Sequence, residues 1–267
     1  MKKHTLVLLA AVVTLTGSAL AQPGRGMGGN PGLNAVMTKL FGENKQFSAD
    51  VEIDAMGSQQ QAMTIPAKMY FDAGKSRFEM NLADAKGQQM SSQMLQQMKT
   101  MGMDQTEVIS RPDTKMTYLI YPGLKAYAET PLRDPNADKP DSAFKMDSTE
   151  LGKETLDGHA CVKNKVVITD DQGEKHEMTV WNATDMKNFP IKIETDDNGR
   201  NTTMIFKNVK TAKPDAALFE PPADFKKYAN QRELMQQEVM KRMGMPGMAP
   251  GGAPAGAPPA GTQPGHP

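Results

Sequence analysis

Cys161 is the single cysteine of the chain, and His159, Lys163 and Lys165 stand close to it in sequence. A thiol becomes a nucleophile when a neighbouring base or positive charge lowers its pKa, so covalent chemistry is sought here first. Nucleophilic catalysis also needs the base held by a third group. No Asp/Asn–His arrangement of that kind is recognisable, and Cys161 reads as a small apolar residue at a strand start. His159 and His176 are the histidines of the predicted folded part. With one cysteine they have neither the number nor the spacing of a zinc site. Asp170-Asp171 and Asp196-Asp197 lack the alternating ligands and closing glutamate of a calcium loop, and turns account for them. No glycine-rich phosphate loop, serine elbow or metalloprotease helix occurs. The chain is therefore read as non-enzymatic, with no cofactor.

Methionine is the residue type used unusually, with 22 copies against 6% aromatics. Two groups of it could do chemistry. Met235, Met240, Met243, Met245 and Met248, with His266 beyond, resemble the thioether clusters that select soft Cu(I) or Ag(I). Composition is the competing explanation, since the whole chain favours methionine. The second group is Met90, Met94, Met98 and Met101, spaced by four, four and three residues within Lys86–Gly102. That spacing predicts one stripe of an amphipathic helix. Flexible, polarizable thioethers suit a lid over variable acyl chains, and they equally suit an ordinary core-facing stripe.

The elements that must position these residues are mostly strands. Phe47–Ala55 alternates strictly, with Phe47, Ala49, Val51, Ile53 and Ala55 on one face and acids or Ser48 on the other, as a half-buried strand does. Ile65–Phe71 repeats the pattern, and Pro66 points to an edge or a bulge because it lacks a ladder donor. Arg77–Leu82 follows, then the predicted helix 86–102, then Thr106–Ser110, Met116–Tyr121 and Leu124–Thr130. One apolar face is expected to gather Val51, Ile53, Met69, Phe71, Phe78, Met80, Met116, Tyr118 and Ile120. That face can close as a dry core or line a cavity, and the pattern allows both. Pro131–Asp141 reads as a surface loop, and Ser142–Thr155 as one more strand. Cys161–Thr169, His176–Asn182, Pro190–Thr195 and Thr202–Val209 are separated by Asp/Asn/Gly turns and predict an antiparallel meander. Ahead of the strands, Leu33–Phe41 has helical spacing, with Gly42 as its C-cap.

The 267 residues fit one domain plus appendages. Residues 1–21 have the basic start, apolar run and small-x-small close of a secretory signal, which places the protein in the periplasm. That apolar run is too short to span a bilayer, and no later stretch is apolar enough. Loss of Lys2 and Lys3 leaves 29 basic against 31 acidic residues, a formal charge of −2. Such a balance argues against nucleic acid or an anionic membrane as the main partner. Residues 22–32 read as a flexible Gly/Pro lead, 33–228 as the domain, 229–243 as an amphipathic helix and 244–267 as a disordered Gly/Ala/Pro/Met tail.

Two segments carry a resemblance. Gly152, Glu154, Leu156, Gly158, Cys161 and Lys163 fit a Gly-x-Glu-x-(apolar)-x-Gly-x-x-Cys-x-Lys motif. Asp215, Leu218, Phe219, Pro222, Phe225 and Lys226 fit an Asp-x-x-Leu-Phe-x-x-Pro-x-x-Phe-Lys close. Together they resemble exported domains related to the outer-membrane lipoprotein carriers, the LolA/LolB-like superfamily. The resemblance spans roughly 33–228 and is motif-grade over 152–228. It implies an α+β, mainly antiparallel fold: a strongly curved, unclosed β-barrel whose concave face is covered by helices. It also implies a lipid or a lipidated protein as partner. The separate alternative is a structural interaction domain with a solid core, whose tail binds another envelope protein. The carriers use a buried arginine to control their lid. Here Arg77 falls on the polar face and Arg111 precedes Pro112, so neither takes that role.

Overall fold

The alternating stretch that opens at Phe47 becomes the strand on which the sheet is built. β1 (Gln46–Met56) turns Phe47, Ala49, Val51, Ile53 and Ala55 to one side, and all five are buried. The computed structural model describes residues 33–56, 62–87, 91–132, 145–169, 175–197 and 200–242. β1 pairs antiparallel with β2 (Ala62–Asp72) on one flank and with β12 (Arg200–Lys210) on the other. It therefore joins a first meander to a last one. On the β2 side follow β3 (Lys75–Asn81), β5 (Gln105–Arg111), β6 (Met116–Tyr121) and β7 (Ala126–Pro131). The short strand β13 (Lys226–Tyr228) adds to β7 in parallel. On the β12 side follow β11 (Phe189–Asp197), β10 (Lys175–Ala183), β9 (His159–Thr169) and β8 (Lys145–Leu156). β8 and β13 end the ladder at opposite edges, so the barrel is unclosed.

Among the described residues three helices longer than a single 3-10 turn complete the fold. α1 (Leu33–Phe41) buries Val36, Met37, Leu40 and Phe41, and Gly42 ends it at φ 55°. α2 (Ser92–Met101) is capped by the Ser91 hydroxyl, which accepts from the Met94 N–H at 3.2 Å. α3 (231–242) runs from Gln231–Leu234 through a π-helical turn, Met235–Val239, to Met240–Arg242. Among the described residues no helix is long and apolar enough to cross a membrane.

The sheet curls around α1. β12 lies between β1 and β11, so those two backbones would stand about 10 Å apart in a flat sheet. The Phe47 and Phe189 rings nevertheless meet at 4.9 Å, edge to face. Phe41 of α1 sits 4.5 Å from Phe47, 5.2 Å from Phe71, 5.6 Å from Phe189 and 5.9 Å from Phe206. One helical side chain thus contacts four strands.

The structure revises two expectations and bears out a third. Pro66 is not on an edge. It pairs with Glu52 of β1, and its other flank falls between Met63 and Thr64, which pair with β4 (Lys86–Gly87), and the β3 pairs that start at Ala67. The ladder is interrupted where proline has no donor to offer. The helix expected over 86–102 begins only at Ser92, because Lys86–Gly87 forms strand β4 against β2. The strand sought in 142–155 is β8, a bulged edge with Gly152 at φ 151°.

Candidate functional site

Cross-strand register sorts the inner face of the first meander into rows. Met69, Phe78, Val108, Leu119 and Ala128 lie opposite one another in succession across β2, β3, β5, β6 and β7. The next row runs Phe71, Ser76, Ser110, Thr117 and Thr130. Directly opposed residues share a face, so this surface is continuous with the face that α1 covers at Phe47 and Phe71. Its buried apolar residues nevertheless fall into two clusters. One surrounds α1 and includes Met69 and Met80, with Phe78 packed at its margin. The other joins Leu119, Tyr121, Leu124, Ala126 and Ala128 to Tyr228 and Leu234, with Val108, Met235 and Val239 at its margin. Phe78 and Val108 face each other across the β3–β5 pair and are both only half-buried. They lie at the margins of the two clusters, beside the row of hydroxyl-bearing residues.

The second cluster is held in place by α3. Gln231 Nε2 donates to the Tyr121 hydroxyl at 3.1 Å, and Arg242 donates to the Gly123 carbonyl at 2.7 Å. Glu238 accepts from Tyr228 and pairs with Lys226 at 3.2 Å. The Tyr228 hydrogen bond, then the Lys226 ammonium, hold the Glu238 carboxyl below its ordinary range. Burial pushes the Tyr121 phenol up to about 12. Gly102, at φ 71°, abuts Gly123 so closely that an added Cβ would stand 2.7 Å from its carbonyl oxygen. Glycine at both positions lets the end of α2 meet the β6–β7 turn.

The thirteen residues expected to line a cavity divide by face. Val51, Ile53, Met69, Phe71 and Met80 are buried on the inner face, beside half-buried Phe78. Met116, Tyr118 and Ile120 are on the opposite face, which corrects that expectation. They pair with Arg111, Ile109 and Glu107, not with the residues that oppose Phe78 and Met80. Ile120 packs with Ile109 and Phe219 in an outer cluster. Of the methionine stripe, Met98 is buried, Met101 is half-buried, Met94 is 38% exposed and Met90 lies outside the described residues. α2 inserts one methionine and does not roof the face. Val108, Leu119, Ser110 and Thr117, which sequence reasoning missed, take the inner positions. Of the alternative metal group, Met235 packs at the margin of the second cluster, Met240 is half-buried, and Met243, Met245 and Met248 lie outside the described residues.

The two motifs build the fold. Asp157-Gly158, at φ 50° and 83°, makes the β8–β9 hairpin turn, and Cys161 is 2% exposed in the α1 cluster. At the other motif Asp215 accepts from the Ala217 N–H at 2.9 Å. The following turn lies across the outer face. Arg77 donates to the Leu218 carbonyl at 3.1 Å and ion-pairs with Glu79 at 2.6 Å and Glu107 at 2.7 Å. Arg111 donates to the Phe219 carbonyl at 3.2 Å and also engages Asp113 and Glu220. These arginines fasten a strap whose Phe219 fills the outer cluster. A shallow pocket of about 470 Å³ lies under it, lined by Arg77, Asp215, Leu218 and Pro221.

The structure also makes a contact that the sequence did not reveal. His159 Nδ1 lies 2.7 Å from Asp185 Oδ2, near Cys161. The set resembles a nucleophilic triad in composition but not in geometry. The thiol donates to the His159 backbone carbonyl at 3.4 Å, and burial pushes its pKa up. A thiol so placed stays protonated, the reverse of what a nucleophile needs. A second pocket, of about 360 Å³, runs past Lys153, Glu154, Cys161 and Thr184 on this side. Neither pocket is lined by any of the thirteen expected residues. Among the described residues no group of three or more His, Cys, Asp or Glu is placed to hold a metal ion.

Solved structures similar to this chain include LprF from Mycobacterium bovis, at 15% identity and a TM-score of 0.36, covering 68% of this chain and 96% of that one. They include the lipoprotein LppX from Mycobacterium tuberculosis, at 10% identity and a TM-score of 0.36, covering 68% and 97%. A LolA superfamily protein from Nitrosomonas europaea matches at 9% identity and a TM-score of 0.35, covering 71% and 96%. No curated protein matches the sequence. The family model for the domain of unknown function DUF4412 matches residues 52–189, more than half of the chain, and the protein belongs to that family.

Proposed function

We propose that the protein is an exported, non-enzymatic binding protein that takes an acyl chain, of a free lipid or of a lipidated partner, into a slot between Phe78 and Val108. The single observation behind this reading is that pair: two apolar residues facing each other on the inner face, each at the margin of a different cluster and each only half-buried. The motif resemblance to lipoprotein carriers points the same way. Residues 1–21 would direct the protein to the periplasm, 33–228 would form the binding domain, and 244–267 would be a tail available to another envelope protein. Energetics permit reversible holding. A palmitoyl chain buried at about 0.8 kcal/mol per methylene gains roughly 13 kcal/mol. Association and ordering offset about 4–15 kcal/mol of that.

Native mass spectrometry of the full chain recovered from its own periplasm tests the reading, together with displacement of a fluorescent acyl probe. A co-purifying amphiphile is expected in the wild type and not in Val108→Phe, which fills the slot. No amphiphile and no displaceable probe would contradict the proposal, as would undiminished binding by Val108→Phe. The soft-metal reading through Met235–Met248 has its own check, Cu(I) titration of the full chain with and without Leu at those methionines.

A further inference from the structure

The row beside the slot is chemically unusual for an inner sheet face. Ser76, Ser110, Thr117 and Thr130 oppose one another across β3, β5, β6 and β7. Opposed residues stand about 5 Å apart, so the four hydroxyls extend over roughly 15 Å. Thr130 donates to the Thr117 backbone carbonyl at 3.5 Å. The Ser110 hydroxyl is different: the residue is 8% exposed, and its Oγ has no hydrogen-bond partner among the described residues. A buried hydroxyl without a partner opposes folding unless something supplies one. Ser110 adjoins the slot, since the neighbouring row is Phe78, Val108 and Leu119.

We infer that the Ser110 hydroxyl donates to the carbonyl oxygen of an ester- or amide-linked acyl chain, whose hydrocarbon lies along Phe78, Val108 and Leu119. The inference rests on the acyl-binding reading above and names the linkage that the site selects. The charges of these strands favour a neutral group. Their cations are Lys75, Arg77 and Arg111. Arg77 and Arg111 are engaged on the outer face with Glu107, Asp113, Glu220 and the strap. Lys75 pairs with Asp72 and lies over the Phe219 ring. The rows of the slot themselves carry only hydroxyls and hydrocarbon, which suits an uncharged carbonyl better than a free carboxylate. A glyceride and a lipidated peptide share that linkage.

The test is equilibrium binding by the full chain and by Ser110→Ala, using palmitoylglycerol, an N-palmitoyl dipeptide, palmitate and hexadecane. Ser110→Ala should weaken the ester and the amide by about 5- to 10-fold, the worth of one neutral hydrogen bond. It should leave hexadecane unchanged, and the ligand-free variant should melt no lower than the wild type. Whichever of glyceride and lipopeptide binds tighter identifies the source of the chain. Unchanged ester and amide affinity in the variant, with hexadecane still bound, overturns the Ser110 contact and leaves the slot intact. Palmitate binding tighter than the ester, or a lower melting temperature for the ligand-free variant, also overturns it. Failure of every ligand to bind the wild type overturns the slot and the contact together.

Discussion

Where β1, β2, β11 and β12 converge, the inner face is filled by Phe47, Phe71, Phe189 and Phe206, with Phe41 of α1 set among them. Where β3, β5, β6 and β7 run side by side, the same face carries Phe78 and Val108 half-buried, beside a row of serine and threonine. Strand alternation is alike in both regions. What differs is the filling. In the first region a helix delivers a fifth ring, and the curl of the sheet brings the rings together. In the second, α3 packs on Leu119, Tyr121 and Ala128, and the cluster it forms has Val108 only at its margin. Alternation therefore chooses the side on which apolar residues gather. A tertiary element decides whether that side is sealed or left half-buried.

The largest expected effect lies in the sealed region. Phe41→Ala removes the ring that contacts four others. A loss of about 3–5 kcal/mol in urea unfolding is expected. A loss below about 1 kcal/mol would mean that α1 does not seal this end.

A smaller effect sharpens the description of the second region. The Tyr121 phenol is pushed up to about 12 by burial, although the Gln231 hydrogen bond opposes the shift. Because the folded value exceeds the ordinary value near 10, the unfolded chain releases this proton first. The contribution to stability is thus complete below about pH 10 and is lost as pH rises toward about 12. Tyr121→Phe should flatten the alkaline fall in stability over that interval. An identical fall in the variant would place the phenol in water, not beneath α3.

Much of the fold was legible because half-buried strands alternate. Phe47–Ala55, Ile65–Phe71 and the four strands from Cys161 to Val209 stand where their patterns place them. The face was legible only where one phase is apolar and the other polar. In Thr106–Ser110 both Val108 and Ile109 are apolar, and in Met116–Tyr121 both phases are. The outer face there is covered by the Phe219 strap, so it too needs apolar residues. Local pattern could not choose, and Met116, Tyr118 and Ile120 were assigned to the wrong side. Long-range partners were likewise hidden, since Arg77 meets Leu218 and His159 meets Asp185 only through the fold. The Met stripe predicted its helix but not its exposure, because helical spacing does not report what covers the helix.

Intermolecular nuclear Overhauser effects between a bound palmitoyl chain and the methyl groups of the full-length protein test the central claim most directly. The expected contacts are with Val108 and Leu119, and none are expected with Ile53 or Ile193 inside the aromatic-sealed cluster. Contacts to Ile53 and Ile193 in place of Val108 and Leu119, with the ligand demonstrably bound, would contradict the division of this face into a sealed end and a receptive one.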